Sequence, residues 1–349
     1  MSYKTGWKYK NISNSSNRLG LNHGNKGDNE NIVYDIYEKN KNYFPEIANQ
    51  GKIESCVPTC ISTLYYYYTV KQDNHLKFRI SRLYLYYKVR KLYDEIDKDN
   101  GSTIEDCINE LVINGAPPEF IYPYNVDKIY EYPNELSVNL SKFCKCMGFN
   151  KIDRYKIKKY LLNDDPVICG IKIFFDIHDK EIAKTGILPS PTHKSPTLTY
   201  KSTIPAIPTV PNAHLGPDGG GGNSSIIGGH CIIIVGYDDN RLLYKFINSW
   251  GEKWGENGCG YISYDYIHNF KYADEFFILK HVSNPKLKLF LDEREQGGEE
   301  RGVDKGQGED GGRGDNKKQG DNKKRGEDGG RGSIMKSIQE LFNLSINKK

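Results

Sequence analysis

Cys56, His230 and Asn248 are the side chains whose types and settings suit nucleophilic chemistry. A cysteine attacks as its thiolate. It therefore needs a base to take its proton and later return it to a leaving group, and that base needs a third polar group to fix its ring. His230 follows Gly228-Gly229 at the mouth of the strongly apolar run 231–237, and Asn248 closes the next apolar run, 244–247. If the two runs pair as an antiparallel hairpin around the turn 238–241, His230 and Asn248 meet at one end and can hydrogen-bond.

Cys56 must be delivered by a different element. The stretch Asn49-Gln50-Gly51-Lys52-Ile53-Glu54-Ser55-Cys56-Val57-Pro58-Thr59-Cys60 reads as a glycine-bearing loop running into a helix. Val57, Cys60, Ile61, Leu64, Tyr65 and Tyr68 recur at three- and four-residue steps, the stripe of a core helix. Pro58 is tolerated only near its start, where the missing N–H has no intrahelical partner. Cys56 thus falls at the positive end of the helix dipole, where a thiolate is favoured and a lowered pKa is expected.

The remaining elements divide the chain. Ser81 caps a second expected helix from about residue 82, and Ser102 with Glu105 has the spacing of a capping box for a third, whose face is Ile104, Cys107, Ile108 and Leu111. From Pro166 the runs become β-rich: 167–175, 231–237, 244–248, 258–262 and 275–279. The first half is read as helical and the second as a β domain. Residues 1–30 are polar and read as a flexible segment. The Pro-, Thr-, Ser- and Gly-rich stretch at about 191–227 reads as a flexible insertion. Residues 285–332 repeat Gly-Glu-Asp-Gly-Gly-Arg-Gly and read as a disordered linker, and residues 333–349 as a short amphipathic helix that could dock on a protein partner.

The net charge of +4 is mild and implies no nucleic-acid partner, and no apolar run approaches membrane-spanning length. No secretion signal opens the sequence, so the eight cysteines are expected as reduced thiols in a cytoplasm-like compartment. Heavy use of Tyr, Asn, Lys and Ile is the mark of AT-rich codons, as in large DNA viruses, protists or some bacteria. In a viral setting the host cytoplasm or the virion is the expected location.

With these motifs placed, the chain resembles the papain-like cysteine peptidases, whose triad is Cys, His and Asn. The matched residues are Gln50-Gly51, with Cys56 six positions after Gln50; Ser55-Cys56; Gly229-His230, then Val235-Gly236-Tyr237; Asn248-Ser249-Trp250-Gly251; Trp254-Gly255; and 258–261. The branch it looks most like is the propeptide-poor one of prokaryotes and large DNA viruses, with Tyr122-Pro123-Tyr124, Pro166-Val167 and 185–189 as weaker echoes. The resemblance implies an α+β fold across 31–284, a helical lobe followed by a β-barrel-like lobe, with the cleft between them.

It further implies a monomeric endopeptidase that acts on polypeptides without a cofactor or metal. Cys56 is then the nucleophile, His230 the base and Asn248 its orienting group. The Gln50 side chain and the Cys56 N–H form the oxyanion hole, and Glu54, Ser55, Gly229 and Trp250 line the substrate. Acyl transfer or isopeptide cleavage on the same fold, or an inactive binding module, are the competing readings. Glu54 stands where the family usually has glycine; it either biases the cleft towards basic residues or is a solvated loop carboxylate. Ile53 replaces a cysteine that secreted members pair in a disulfide. Cys144-Lys145-Cys146 is a weak metal signal, and Cys60 and Cys231 are read as packing residues. Because 49 residues precede Gln50, fewer than an inhibitory propeptide plus the start of the mature fold would take, control is expected elsewhere, with the stretch 192–227 as a lid or plug.

Overall fold

The helix that carries Cys56 is the centre of the structure. In the computed structural model, which describes residues 4–9, 33–190 and 226–283, the elements before the sheet's main strands are β1 (Val33–Asp35), α1 (Ile36–Lys39), α2 (Cys56–Gln72), α3 (Arg82–Leu92), α4 (Ile104–Ile113) and α5 (Glu135–Ser141). Nearly every side chain of α2 is buried, because the helix packs against the sheet on one side and against α3 and α4 on the other. Its tyrosines keep their hydroxyls satisfied by reaching to neighbouring loops: Tyr65 donates to the Ser283 carbonyl, Tyr67 to the Asp164 carbonyl and Tyr68 to the Asp165 carboxylate. Side-chain caps start the next three helices, with Ser81, Thr103 and Asn134 accepting from the N–H groups of Tyr84, Asp106 and Ser137. The cap of α4 is thus Thr103 rather than the expected Ser102, whose backbone is bound elsewhere, as described below.

The sheet is built from β2 (Cys146–Lys151), β3 (Val167–Ile173), β4 (Gly228–Asp238), β5 (Leu243–Ile247), β6 (Cys259–Ser263) and β7 (Ala273–Val282), with the short helices α6 (Ile157–Leu161), α7 (Lys180–Thr185) and α8 (Tyr264–His268) between them. All neighbours are antiparallel, in the order β2-β7-β3-β4-β5-β6, and β1 also pairs with β4. Mixed helix and antiparallel sheet is the class expected from the sequence. Among the described residues the sheet is open at β2 and β6, so barrel-like describes it loosely. The strand at 33–35 joins the sheet from ahead of the helical half; at three residues it is too short to show a period.

β4 lies in the middle of the sheet and is buried along almost its whole length, which explains its unbroken apolar run. The register Ile233↔Ile247 brings Asn248, the residue after β5, back alongside the start of β4. The chain divides into the units Met1–Asn284 and Pro285–Lys349. The linker and helix read at 285–332 and 333–349, and the insertion except Ile226 and Ile227, lie outside the described residues, as does the polar segment 1–30 except residues 4–9.

Candidate active site

Cys56 is the first residue of α2, and Ser55 before it makes no side-chain cap. The Ser55 hydroxyl is engaged instead with Tyr124, whose own hydroxyl donates to the Gln50 carbonyl at 2.8 Å. The loop ahead of the helix is zipped onto the segment after β5: Gln50 N–H donates to the Ser249 carbonyl and Gly251 N–H to the Ala48 carbonyl. Two chain segments some 200 residues apart in sequence are thereby held in one frame. Gln50 is fully buried; its Oε1 accepts from the Ser249 hydroxyl at 2.6 Å and its Nε2 donates to the Ile53 carbonyl at 2.9 Å. Ser249, which sequence reading passed over, therefore fixes which way the Gln50 amide points. Its place between Asn248 and Trp250 is the signal that could have found it.

His230 Nε2 lies 2.8 Å from Asn248 Oδ1. That oxygen also accepts the Ser249 N–H at 2.8 Å, which fixes the amide's orientation, so the imidazole must be the donor. The neutral ring then carries its proton on Nε2 and a bare lone pair on Nδ1. Nδ1 is buried without a hydrogen-bond partner. Trp250 stacks on the ring at 4.6 Å and 25°, and Trp254 stands edge-on to Trp250 at 5.3 Å. The indole face excludes water from the His230–Asn248 bond, which strengthens it.

The site is covered by the chain itself. Residues 4–9, placed by sequence in a flexible segment, are packed between Glu54 and Gly229. The N–H groups of Gly6 and Trp7 donate to the Gly229 carbonyl, Ser102 N–H donates to the Gly6 carbonyl, and Lys8 N–H donates to the Ser102 carbonyl. Trp250 Nε1 donates to the Lys4 carbonyl at 3.0 Å, and Gln50 Nε2 also faces the Thr5 carbonyl at 3.5 Å. Trp7 is 3% exposed. The backbone of this segment is thus paired on both sides, to Gly229 and to Ser102.

Burial dominates the protonation of both reacting groups. Burial pushes the Cys56 thiol well above its ordinary range, with Cys60 adding to the effect and the Cys231 and Val57 backbone pulling weakly the other way. The lowered value expected from the helix end is overturned, since loss of solvation outweighs a partial charge once the thiol is 0% exposed. Burial likewise lowers His230 to about 4, opposed by its bond to Asn248. In both groups burial favours the neutral form. Glu54 is half-buried; burial and Asp99 push its carboxyl up, and Lys4 and Lys8 pull it down.

All eight cysteines are buried and unpaired, Cys144 and Cys146 among them. Among the described residues no cluster of His, Cys, Asp and Glu is placed to hold a metal ion, and no helix is long and apolar enough to cross a membrane.

No protein-family model matches the sequence. A protein of Acanthamoeba polyphaga mimivirus, described as an uncharacterized peptidase C1-like protein, is 28% identical over 252 residues, which cover 69% of this chain and 72% of that one. Among solved structures, xylellain, a cysteine protease from Xylella fastidiosa, aligns at a TM-score of 0.57 and 22% identity, over 71% of this chain and 85% of its own. A digestive procathepsin L 3 from the larval midgut of Tenebrio molitor aligns at 0.48 and 16% identity, over 71% of this chain and 69% of its own. The fold is that of the papain-like cysteine proteases, and the likeness read from the sequence is borne out.

Proposed function

Starting from the papain-like fold, we propose that this chain is a cysteine peptidase, an endopeptidase acting on polypeptides. The reading is carried by the His230–Asn248 hydrogen bond, which presents a bare Nδ1 on a ring shielded by Trp250. A substrate in the groove replaces residues 4–9. His230 Nδ1 takes the Cys56 thiol proton and the thiolate adds to the scissile carbonyl. The oxyanion so formed is held by Gln50 Nε2 and the Cys56 N–H, and the Thr5 carbonyl, which now faces Gln50 Nε2, stands in for it. Collapse expels the amine, which takes the proton from His230 and leaves a thioester on Cys56. Water, deprotonated by the same nitrogen, then releases the acid and restores the thiol.

The likeness to the peptidase C1-like protein of the mimivirus and the fold support the same chemistry. Eight unpaired thiols support a reducing compartment as the site of action. The tail 285–349 is proposed as the part that recruits a protein partner, tested by pull-down with that segment.

The deciding experiment compares the wild-type chain with Cys56→Ala, His230→Ala and Gln50→Ala, using a thiol-directed active-site inhibitor and fluorogenic peptides under reducing conditions. Labelling and turnover that vanish in Cys56→Ala and His230→Ala, with kcat lowered about 100- to 1,000-fold in Gln50→Ala, are expected. Undiminished turnover by Cys56→Ala would refute the reading.

A further inference from the structure

Tyr122-Pro123-Tyr124 ends on a side chain that reaches the loop ahead of Cys56. The Tyr124 hydroxyl gives its single proton to the Gln50 carbonyl at 2.8 Å, so at its 2.6 Å contact with the Ser55 hydroxyl the serine must be the donor. One phenol oxygen thus joins both ends of the loop 50–55. Burial pushes the phenol up to about 12, against smaller opposing effects from Ser55 and Arg82, so it remains a donor at neutral pH. The ring itself is pinned. The Arg82 guanidinium lies over it at 3.8 Å, and Glu119 grips that guanidinium twice, accepting Nε at 2.8 Å and Nη2 at 2.9 Å. Arg82 Nη1 also faces the Asn49 carbonyl at 3.5 Å.

Serine is among the best residues for capping a helix, yet Ser55, at the cap position of α2, caps nothing. A capping side chain bonds the N–H of the second or third helical residue, here Val57 or Pro58, and Pro58 has none. A capping residue is also typically extended, whereas Ser55 has φ −100 and ψ 26. Swinging Ser55 into a cap would change its ψ, and that angle sets the direction of the next N–H, which is that of Cys56. Ser249 fixes how the Gln50 amide is turned, and Tyr124 fixes where the Gln50 backbone stands relative to Ser55. Donors to an oxyanion gain their effect from being in place before the charge forms. We propose that Tyr124 is a positioning residue for the peptidase reaction proposed above, on which this inference rests. By holding Gln50 and Ser55 together, its hydroxyl keeps Gln50 Nε2 and the Cys56 N–H aimed at one point.

The test compares the full-length chain with Tyr124→Phe, which keeps the ring under Arg82 and loses only the hydroxyl. Three probes are used under reducing conditions. Turnover of a fluorogenic peptide passes through an oxyanion. A peptide aldehyde adds the Cys56 thiol across its carbonyl, sulfur to carbon and proton to oxygen, and that oxygen takes the same donors. Iodoacetamide alkylates Cys56 without forming an oxyanion. Tyr124→Phe should lower kcat about 10- to 100-fold with KM little changed, weaken aldehyde binding about tenfold, and leave the iodoacetamide rate at Cys56 within about twofold. Ser55→Ala should also lower kcat, and the double variant should fall no further than Tyr124→Phe, because both substitutions act on one clamp. Unchanged kcat in Tyr124→Phe, an equal loss with all three probes, or losses that add in the double variant would overturn the inference. Aldehyde binding that needs Tyr124, in a chain that turns over no peptide, would sink the peptidase reading and leave the clamp standing. Turnover indifferent to Tyr124 would do the reverse.

Discussion

Replacing Trp7 with alanine should turn a shielded thiol into a reactive one. The indole is almost wholly buried, lies on Gly170 and bonds Glu275, and truncating a buried aromatic of this size costs about 3–5 kcal/mol. That cost falls on the filled cleft alone, because the withdrawn segment makes none of these contacts. At about 1.4 kcal/mol per factor of ten, the open fraction should rise by about two to three and a half orders of magnitude, up to saturation. Cys56 is 0% exposed in the filled form, so its alkylation by iodoacetamide should follow the open fraction. Site-resolved mass spectrometry of native protein at neutral pH gives the rate at Cys56, with the other cysteines as controls. Acceleration confined to Cys56 is expected. Equal Cys56 rates in the two chains, or acceleration at every cysteine alike, would refute the reasoning, the second outcome signalling general loosening.

Other consequences are checked more briefly. Gly6→Ala should accelerate labelling in the same way, because the new Cβ would sit 2.1 Å from the Glu54 carbonyl oxygen at a φ of +150. Lowering the pH should destabilise the protein through His230: its folded value of about 4 lies below the unfolded 6.5, so the unfolded chain binds the extra proton between these values and stability falls as pH drops across that window. The loss is about 3 kcal/mol by pH 4 and is flattened in His230→Gln, as urea titrations at pH 4 and 7 should read. Ser249→Ala frees the Gln50 amide and should lower kcat by about tenfold with little change in KM, measured on a fluorogenic peptide. Arg90→Leu should cost about 3 kcal/mol or more in urea unfolding, because the buried guanidinium donates to the carbonyls of Tyr86, Ile96, Lys98 and Ile129.

The parts of the site that a sequence reader can place are those governed by local rules. Cys56 at a helix start follows from an apolar period and a proline, and the meeting of His230 with Asn248 follows from two apolar runs around one short turn. What could not be read depends on which distant segment covers which. The thiol pKa is such a case, since a helix end is visible in the chain while the burial that desolvates Cys56 is not. Residues 4–9 carry no period and look like solvated chain; their order comes from backbone pairing to Gly229 and Ser102. That pairing holds Ser102 extended, which moves the α4 cap on to Thr103 although both residues have cap chemistry. Glu275 is hidden for another reason: period-two reading assigns faces by parity, and a single extra residue in β7 breaks the parity.

That the occupant of the groove belongs to the same polypeptide sets the law of competition for the site. An intact chain meets its own residues 4–9 at an effective concentration of about millimolar order, fixed by the tether and independent of how much protein is in solution. Dilution leaves such a site filled, and a peptide supplied in trans competes with the occupant at a disadvantage set by that concentration. One cut anywhere between Tyr9 and Val33 changes the order of the reaction. The occupant becomes a separate molecule, and the occupancy of the groove becomes a matter of how far the sample is diluted.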